Sequence, residues 1–328
     1  MSDGMPRRRR AILAGLGLGV LVLAGTITWL GPAATSWTLR AILAGAPDER
    51  AWSHVPAARP IVAACDVQSL LSSRIAQDLR PRLDALAARH GFDAALAESN
   101  VRLLVLTGEG LDFGYAVASG FRLSPLMLAR VAPQWTSMPF TEGGTEWQAA
   151  GDGSTVLVPL EPGIVAWIPL GVDPGRVAAS LEVARSDPRE PLPLGGSALR
   201  AMIDIDDRLR AQASRELPRE ARKLLAALVR IDGRIMAGDT LDVELTLTHV
   251  DAAGALATTT LLQQANMAAQ LVRAGGAFAA LLGRDAMLLA QLPPLTVTQA
   301  GADVIVKSRA DRAQVGAWLD LAEESLGW

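Results

Sequence analysis

Cysteine is almost absent from this chain: Cys65 is the only one in 328 residues. No disulfide can form within the chain, even in an oxidising compartment, and no paired-cysteine metal or redox motif exists. Cys65 lies in the apolar run Ile61–Cys65, where a buried, inert thiol is expected. Lysine is nearly as scarce, with only Lys223 and Lys307, and aromatic residues make up 4% of the chain. The three histidines, His54, His90 and His249, are too scattered for any two to be joint metal ligands by spacing. G-x-S-x-G, a Walker-type phosphate loop and H-E-x-x-H are all missing. GLGLG at 15–19 imitates a dinucleotide fingerprint but sits inside the longest apolar run. These absences leave no catalytic residue, no cofactor site and no metal site to assign.

What is present begins with that run. Ala11–Leu30, AILAGLGLGVLVLAGTITWL, has no charge and only Thr26 and Thr28 as polar side chains. As a helix it would be about 30 Å long, the thickness of a bilayer's hydrocarbon core. Arg7–Arg10 precede it directly, and no comparable cluster follows before Arg40. The positive-inside rule then places residues 1–10 in the cytoplasm and residues 31–328 across a single-pass anchor at 11–30. Arginine in large excess over lysine suits a high-GC bacterial genome, so the expected membrane is the bacterial cytoplasmic (inner) membrane. A cleavable signal peptide is the alternative; the length of the run and Pro32 in the candidate cleavage site favour an uncleaved anchor. Gly15 and Gly19 form G-x-x-x-G, the spacing that lets two membrane helices approach closely. Setting aside residues 1–10 takes the 31 basic residues to 27 and the 34 acidic to 33, a net charge near −6. A mildly acidic body does not attract nucleic acid.

Residues 31–60, rich in proline, read as a juxtamembrane stalk. Beyond them the chain compares with itself. IVAACDVQSLL at 61–71 aligns with LRAMIDIDDRL at 199–209, and DPGRVAASLEVA at 173–184 with DRAQVGAWLDLA at 311–322, each at an offset of 138. The expectation is a duplicated α+β unit: a first repeat at 61–186, a Pro/Gly linker at 187–197 and a second repeat at 198–328. Each repeat reads as strand, helix, strand pair, middle helix, strand pair and closing helix, an antiparallel sheet with helices on one face. LDVELTLTHV at 241–250 alternates strictly, which implies one wet face. In layout the chain resembles tandem α/β domains of bacterial envelope proteins; no motif in it identifies a family.

Three places stand out from ordinary domain surface. Asp204, Asp206 and Asp207 cluster at a strand end, where carboxylates can hold a divalent cation, but Arg208 and Arg210 adjoin them and a capping role is expected. The middle helix of the second repeat, Leu256–Leu282, is apolar almost all round apart from a stripe at Gln263, Asn266, Gln270 and Arg273. Leu261, Leu262 and Phe278 on it are candidates for a surface that meets a partner or an apolar ligand. Pro133–Trp147 reads as an irregular loop whose Trp135, Phe140 and Trp147 form a second candidate recognition surface. Together these features predict a non-catalytic, membrane-tethered envelope protein whose module binds a protein partner or forms a homo-oligomer. The alternatives are a carrier of an apolar small molecule or lipid in a cleft near 256–282, and, less well supported, an envelope hydrolase using Asp204 and Asp206.

Overall fold

The computed structural model describes residues 49–82, 101–110, 114–120, 136–142, 145–151, 155–161, 163–169, 172–216, 222, 225–274 and 293–316. The basic tail, the expected anchor with Gly15 and Gly19, the stalk up to residue 48, His90, Trp135 and Phe278 lie outside the described residues. Among the described residues no helix is long and apolar enough to cross a membrane.

The fold is mixed α+β, with a large antiparallel sheet and few helices. The chain divides into two compact units, one reaching to Arg200 and one starting at Ala201. The first opens with a 3-10 turn, Glu49–His54, followed by β1 (Ile61–Asp66), α1 (Val67–Ser72) and α2 (Arg74–Asp78). It continues with β2 (Leu103–Gly108), β3 (Gly114–Ser119), β4 (Thr136–Glu142), β5 (Thr145–Gly151), β6 (Thr155–Glu161), β7 (Ile164–Pro169) and α3 (Pro174–Ser186). Its strands lie in the order β1-β2-β3-β7-β6-β5-β4. The second unit comprises β8 (Leu199–Asp204), α4 (Asp207–Glu216), β9 (Leu228–Ala237), β10 (Leu241–His249), α5 (Ala252–Ala274), β11 (Leu295–Ala300) and β12 (Asp303–Ala310). Its order is β8-β9-β10-β12-β11. Counted from the opening strand, five strands therefore follow the same order in both units. Val67 N–H donates to Arg102 O (2.9 Å) and Ile205 N–H to Val229 O (2.8 Å), and these two donors are 138 residues apart.

The first unit's core follows from its composition. IVAAC, LLVL, YAVA and IVAWI are continuous apolar runs, and such runs bury both faces of a sheet. One face, through Val62, Val105, Val117 and Ile168, packs on Trp52 of the 3-10 turn, on Val55 just after it, and on Val177 and Leu181 of α3. Residues of opposite parity, such as Cys65, Leu104, Ala116 and Trp167, are also buried. The alternation that implies a wet face at 241–250 is absent from these strands, and both parities are buried. Arg59, only 7% exposed, pairs with Glu109, and Arg176 of α3 reaches the same carboxylate at 2.7 Å. The Pro/Gly-rich segment 187–197 is held to this unit. The Arg189 guanidinium donates to Ala57 O (3.0 Å) and Arg59 O (2.7 Å), while Leu192 and Leu194 pack against the core.

The second unit keeps its alternation. Leu241, Val243 and Leu245 are buried; Asp242 and Glu244, on the opposite face, pair across the ladder with Arg309 (2.5 Å) and Lys307 (2.9 Å).

Two further expectations are revised. Within the stretch expected to be an irregular loop, residues 136–142 and 145–147 are strand: β4 pairs antiparallel with β5, with Phe140 opposite Trp147. The glycine pair and the flanking Thr136, Thr141 and Thr145 suit a hairpin, and Pro139 is compatible because β4 is the last strand of its sheet. The first helix of this unit is broken in two because Ser73 is extended (φ −62, ψ 148); its hydroxyl accepts from Ala76 N–H (3.3 Å), restarting the helix as α2. Helical spacing of Ile75 and Leu79 could not reveal that break.

Leu181 is 1% exposed and Val183, two residues on, is 50% exposed. Leu181→Ala should lower unfolding stability by about 2–5 kcal/mol in urea titrations, against under about 0.5 kcal/mol for Val183→Ala.

Candidate functional site

The site is built on α5. Asp251 starts the helix, its carboxylate accepting from Gly254 N–H (2.8 Å), so the helix begins four residues before Leu256, where the sequence placed it. Gly254 is required by packing: a Cβ there would lie 2.8 Å from Ala227 Cβ, closer than two carbons tolerate. Ala255, Thr258, Thr259, Leu262 and Ala269 are buried at helical spacing and form the face toward the sheet. What lies beyond Ala274 is outside the described residues.

Polar side chains fix how α5 sits on β10, β11 and β12. His249, at the end of β10 and only 3% exposed, has Nε2 2.7 Å from Thr258 Oγ1 and Nδ1 3.0 Å from Leu247 O and 3.2 Å from Ala302 O. Both Nδ1 neighbours are carbonyls, so Nδ1 carries the proton and Nε2 accepts from the threonine hydroxyl. Asn266 Nδ2 donates to Leu295 O (2.9 Å), and Leu295 N–H donates to Asn266 Oδ1 (3.1 Å). Gln299 Nε2 donates to Ala252 O (3.1 Å). Asn266, from the polar stripe of this helix, thus clamps the strand.

The outward side of α5 is uncharged, with large apolar side chains set among neutral polar ones. Leu256, Met267 and Leu271 are 58%, 56% and 74% exposed, with Gln263, Gln264 and Gln270 also exposed among them. Arg273 is the only charged residue in α5, and its Nε donates to Ala269 O (3.2 Å). Of the residues singled out in the sequence, Leu261 is half-buried and Leu262, 7% exposed, belongs to the sheet-facing side. Phe278, the third residue of that helix set, lies outside the described residues. Leu256, Met267 and Leu271 were missed, although a helical wheel registered on Leu262 as the buried centre would have found them. Phe140 and Trp147 are register partners in the β4–β5 ladder.

The groups with chemical potential are engaged structurally. Asp204 pairs with Arg230 (2.5 Å), Asp206 caps α4 by accepting from Leu209 N–H (2.6 Å), and Asp207 pairs with Arg210 (2.7 Å). Among the described residues no group of three or more His, Cys, Asp or Glu could hold a metal ion. Cys65 is buried in β1, and burial pushes its thiol up to about 12, which keeps it protonated and unreactive. His54 lies 3.2 Å from Glu161 through Nε2. Burial lowers its pKa, Arg185 and Arg50 push the same way, and the Glu161 carboxylate opposes them.

Fold and site together define a two-unit α+β protein with an uncharged, outward-facing helix surface. No family model matches the chain, and no curated protein matches it in sequence. Among solved structures it is similar to crystal form IV of TP0453, at 13% identity and a TM-score of 0.46, over 82% of this chain and 95% of that one. For crystal form I of TP0453 the identity is 12% and the TM-score 0.44, over 83% of this chain and 96% of that one.

Two outcomes follow from these contacts. Gly254→Ala should destabilise the protein by about 1–3 kcal/mol in urea unfolding, through overpacking against Ala227. His54, whose folded pKa is below its unfolded value of about 6.5, contributes stability that is present above that pH and lost as pH falls toward the folded pKa. In melting curves over that window, His54→Gln should be less sensitive to acidification than the parent chain.

Proposed function

We propose that this chain is a single-pass, non-catalytic protein of the bacterial envelope, tethered in the cytoplasmic membrane, whose duplicated extracytoplasmic module binds a protein partner or assembles with itself. The tether rests on the sequence: a twenty-residue apolar run behind Arg7–Arg10. The duplication is supported by two sequence matches at the same offset and by the shared order of five strands.

The observation that carries the binding role is the outward side of α5. Leu271 is 74% exposed, Met267 and Leu256 are more than half exposed, and no charge interrupts the helix before Arg273. Depletion of charge with exposed Leu and Met is the composition of an interface core rather than of ordinary surface. The clamp at Asn266 and the packed His249–Thr258 pair present this surface on a rigid support.

The test is crosslinking in intact membranes, comparing the full chain with Met267→Glu/Leu271→Glu. Both changes sit on exposed positions, so melting should be unaffected. The reading expects a discrete crosslinked protein species that the double variant loses. An identical species from both chains would contradict a role for α5, and a lipid adduct without any protein adduct would replace the protein-binding reading by apolar-ligand binding.

A further inference from the structure

The edge of the second unit's sheet carries a more specific arrangement. β11, LTVTQA, is the terminal strand of its sheet and contains no charge and no proline. Edge strands in soluble proteins are usually blunted by one or the other, because an open edge is a template for another strand. The terminal strand of the first unit, β4, follows that rule, with Pro139 and Glu142.

The contacts of Leu295 show which backbone groups of β11 face outward. In an antiparallel ladder, alternate residues bond the neighbouring strand and the residues between them point away. Leu295 gives both its N–H and its C=O to the Asn266 side chain, so it is an outward residue although it stands opposite Ser308 of β12. Val297 and Gln299 share its parity, and their N–H and C=O groups point out of the sheet. Thr296, Thr298 and Ala300 bond β12.

We propose that this edge pairs with the same edge of a second copy of the chain, antiparallel about a two-fold axis at Thr298. This inference rests on the self-assembling form of the function proposed above and names its contact. The clamp selects the register. A two-fold at Val297 would require the outward groups of Leu295, which Asn266 already occupies. A two-fold at Thr298 places Val297 opposite Gln299 of the partner copy on both sides of the axis, giving four backbone hydrogen bonds and using both open residues. Thr298 then faces its own copy as a non-hydrogen-bonded pair, with Cα atoms about 4.5 Å apart. No charge opposes a like charge anywhere along the edge. The adjoining flank of α5 bears Gln263, Met267 and Gln270, which are uncharged and exposed, and ends at the half-buried Arg273, whose Nε donates to Ala269 O (3.2 Å). The result is an isologous contact, closed at two copies.

The experiment uses the full chain in its membrane with single cysteines introduced at the edge, since Cys65 is buried and does not compete. Thr298→Cys places two thiols within disulfide reach across the axis, whereas Thr296→Cys faces Ala300 of the other copy and finds no thiol. Mild oxidation should give a species of twice the 34.5 kDa chain mass for Thr298→Cys and none for Thr296→Cys. Val297→Pro added to Thr298→Cys removes an outward N–H without touching a bond to β12, and should abolish that species with the monomer still folded. Equal crosslinking at the two positions, or none at Thr298→Cys, would overturn the proposal. If the α5 variant still loses a crosslinked protein in that case, the binding role stands and only the edge contact falls.

Discussion

Two hydrogen bonds between the side chain of Asn266 and the backbone of Leu295 fix where α5 sits along the second unit's sheet. Apolar burial is non-directional: Leu262 and Ala269 would bury as well with α5 slid along the sheet. A carboxamide that both donates to and accepts from one peptide group copies a neighbouring strand and permits a single axial position. His249 adds a second fixed point at the other end of the contact, joining the end of β10 to Thr258 and to the turn at Ala302. With the helix held at both places, the exposure of Leu256, Met267 and Leu271 is a fixed property of the fold, since burying them would require breaking these bonds inside the protein.

The two units share a strand order but solve the burial problem differently. In the first, small apolar residues such as Ala63, Ala64, Ala116 and Ala118 let the strands be covered on both faces, and Arg59 and Arg176 share the Glu109 carboxylate. In the second, one face carries cross-strand pairs such as Glu244 with Lys307 that are exposed and individually worth little, yet keep that face in water and set strand register. The helix side then carries the apolar burden alone, through Ala255, Leu262 and Ala269 of α5.

Much of this was legible in the sequence. Alternation in LDVELTLTH located β10 and its wet face, and Asp173 and Asp311 marked the closing helix starts, each carboxylate accepting from the backbone N–H two or three residues on (2.9 Å in both). The β4–β5 hairpin was not, because Trp135, Phe140 and Trp147 drew attention as binding aromatics while the glycine pair at 143–144 carried the structural signal. The surface on α5 was half legible. Low charge identified the helix, but which side faces water depends on where it docks, and that is decided by Asn266 pairing with a residue 29 positions later. No periodicity encodes such a contact. The open edge of β11 was likewise invisible until Leu295 showed which amides point outward.

Amide hydrogen exchange of the full chain, reconstituted in lipid bilayers at low and high surface density, tests the central claim most directly. Thr296 and Thr298, bonded to β12, should exchange slowly at both densities and serve as internal references. The account predicts that Val297 and Gln299 exchange fast when the chain is sparse and become protected when it is dense, together with burial of the Met267 flank. Fast exchange of Val297 and Gln299 at every density, with no change around Met267, would contradict it.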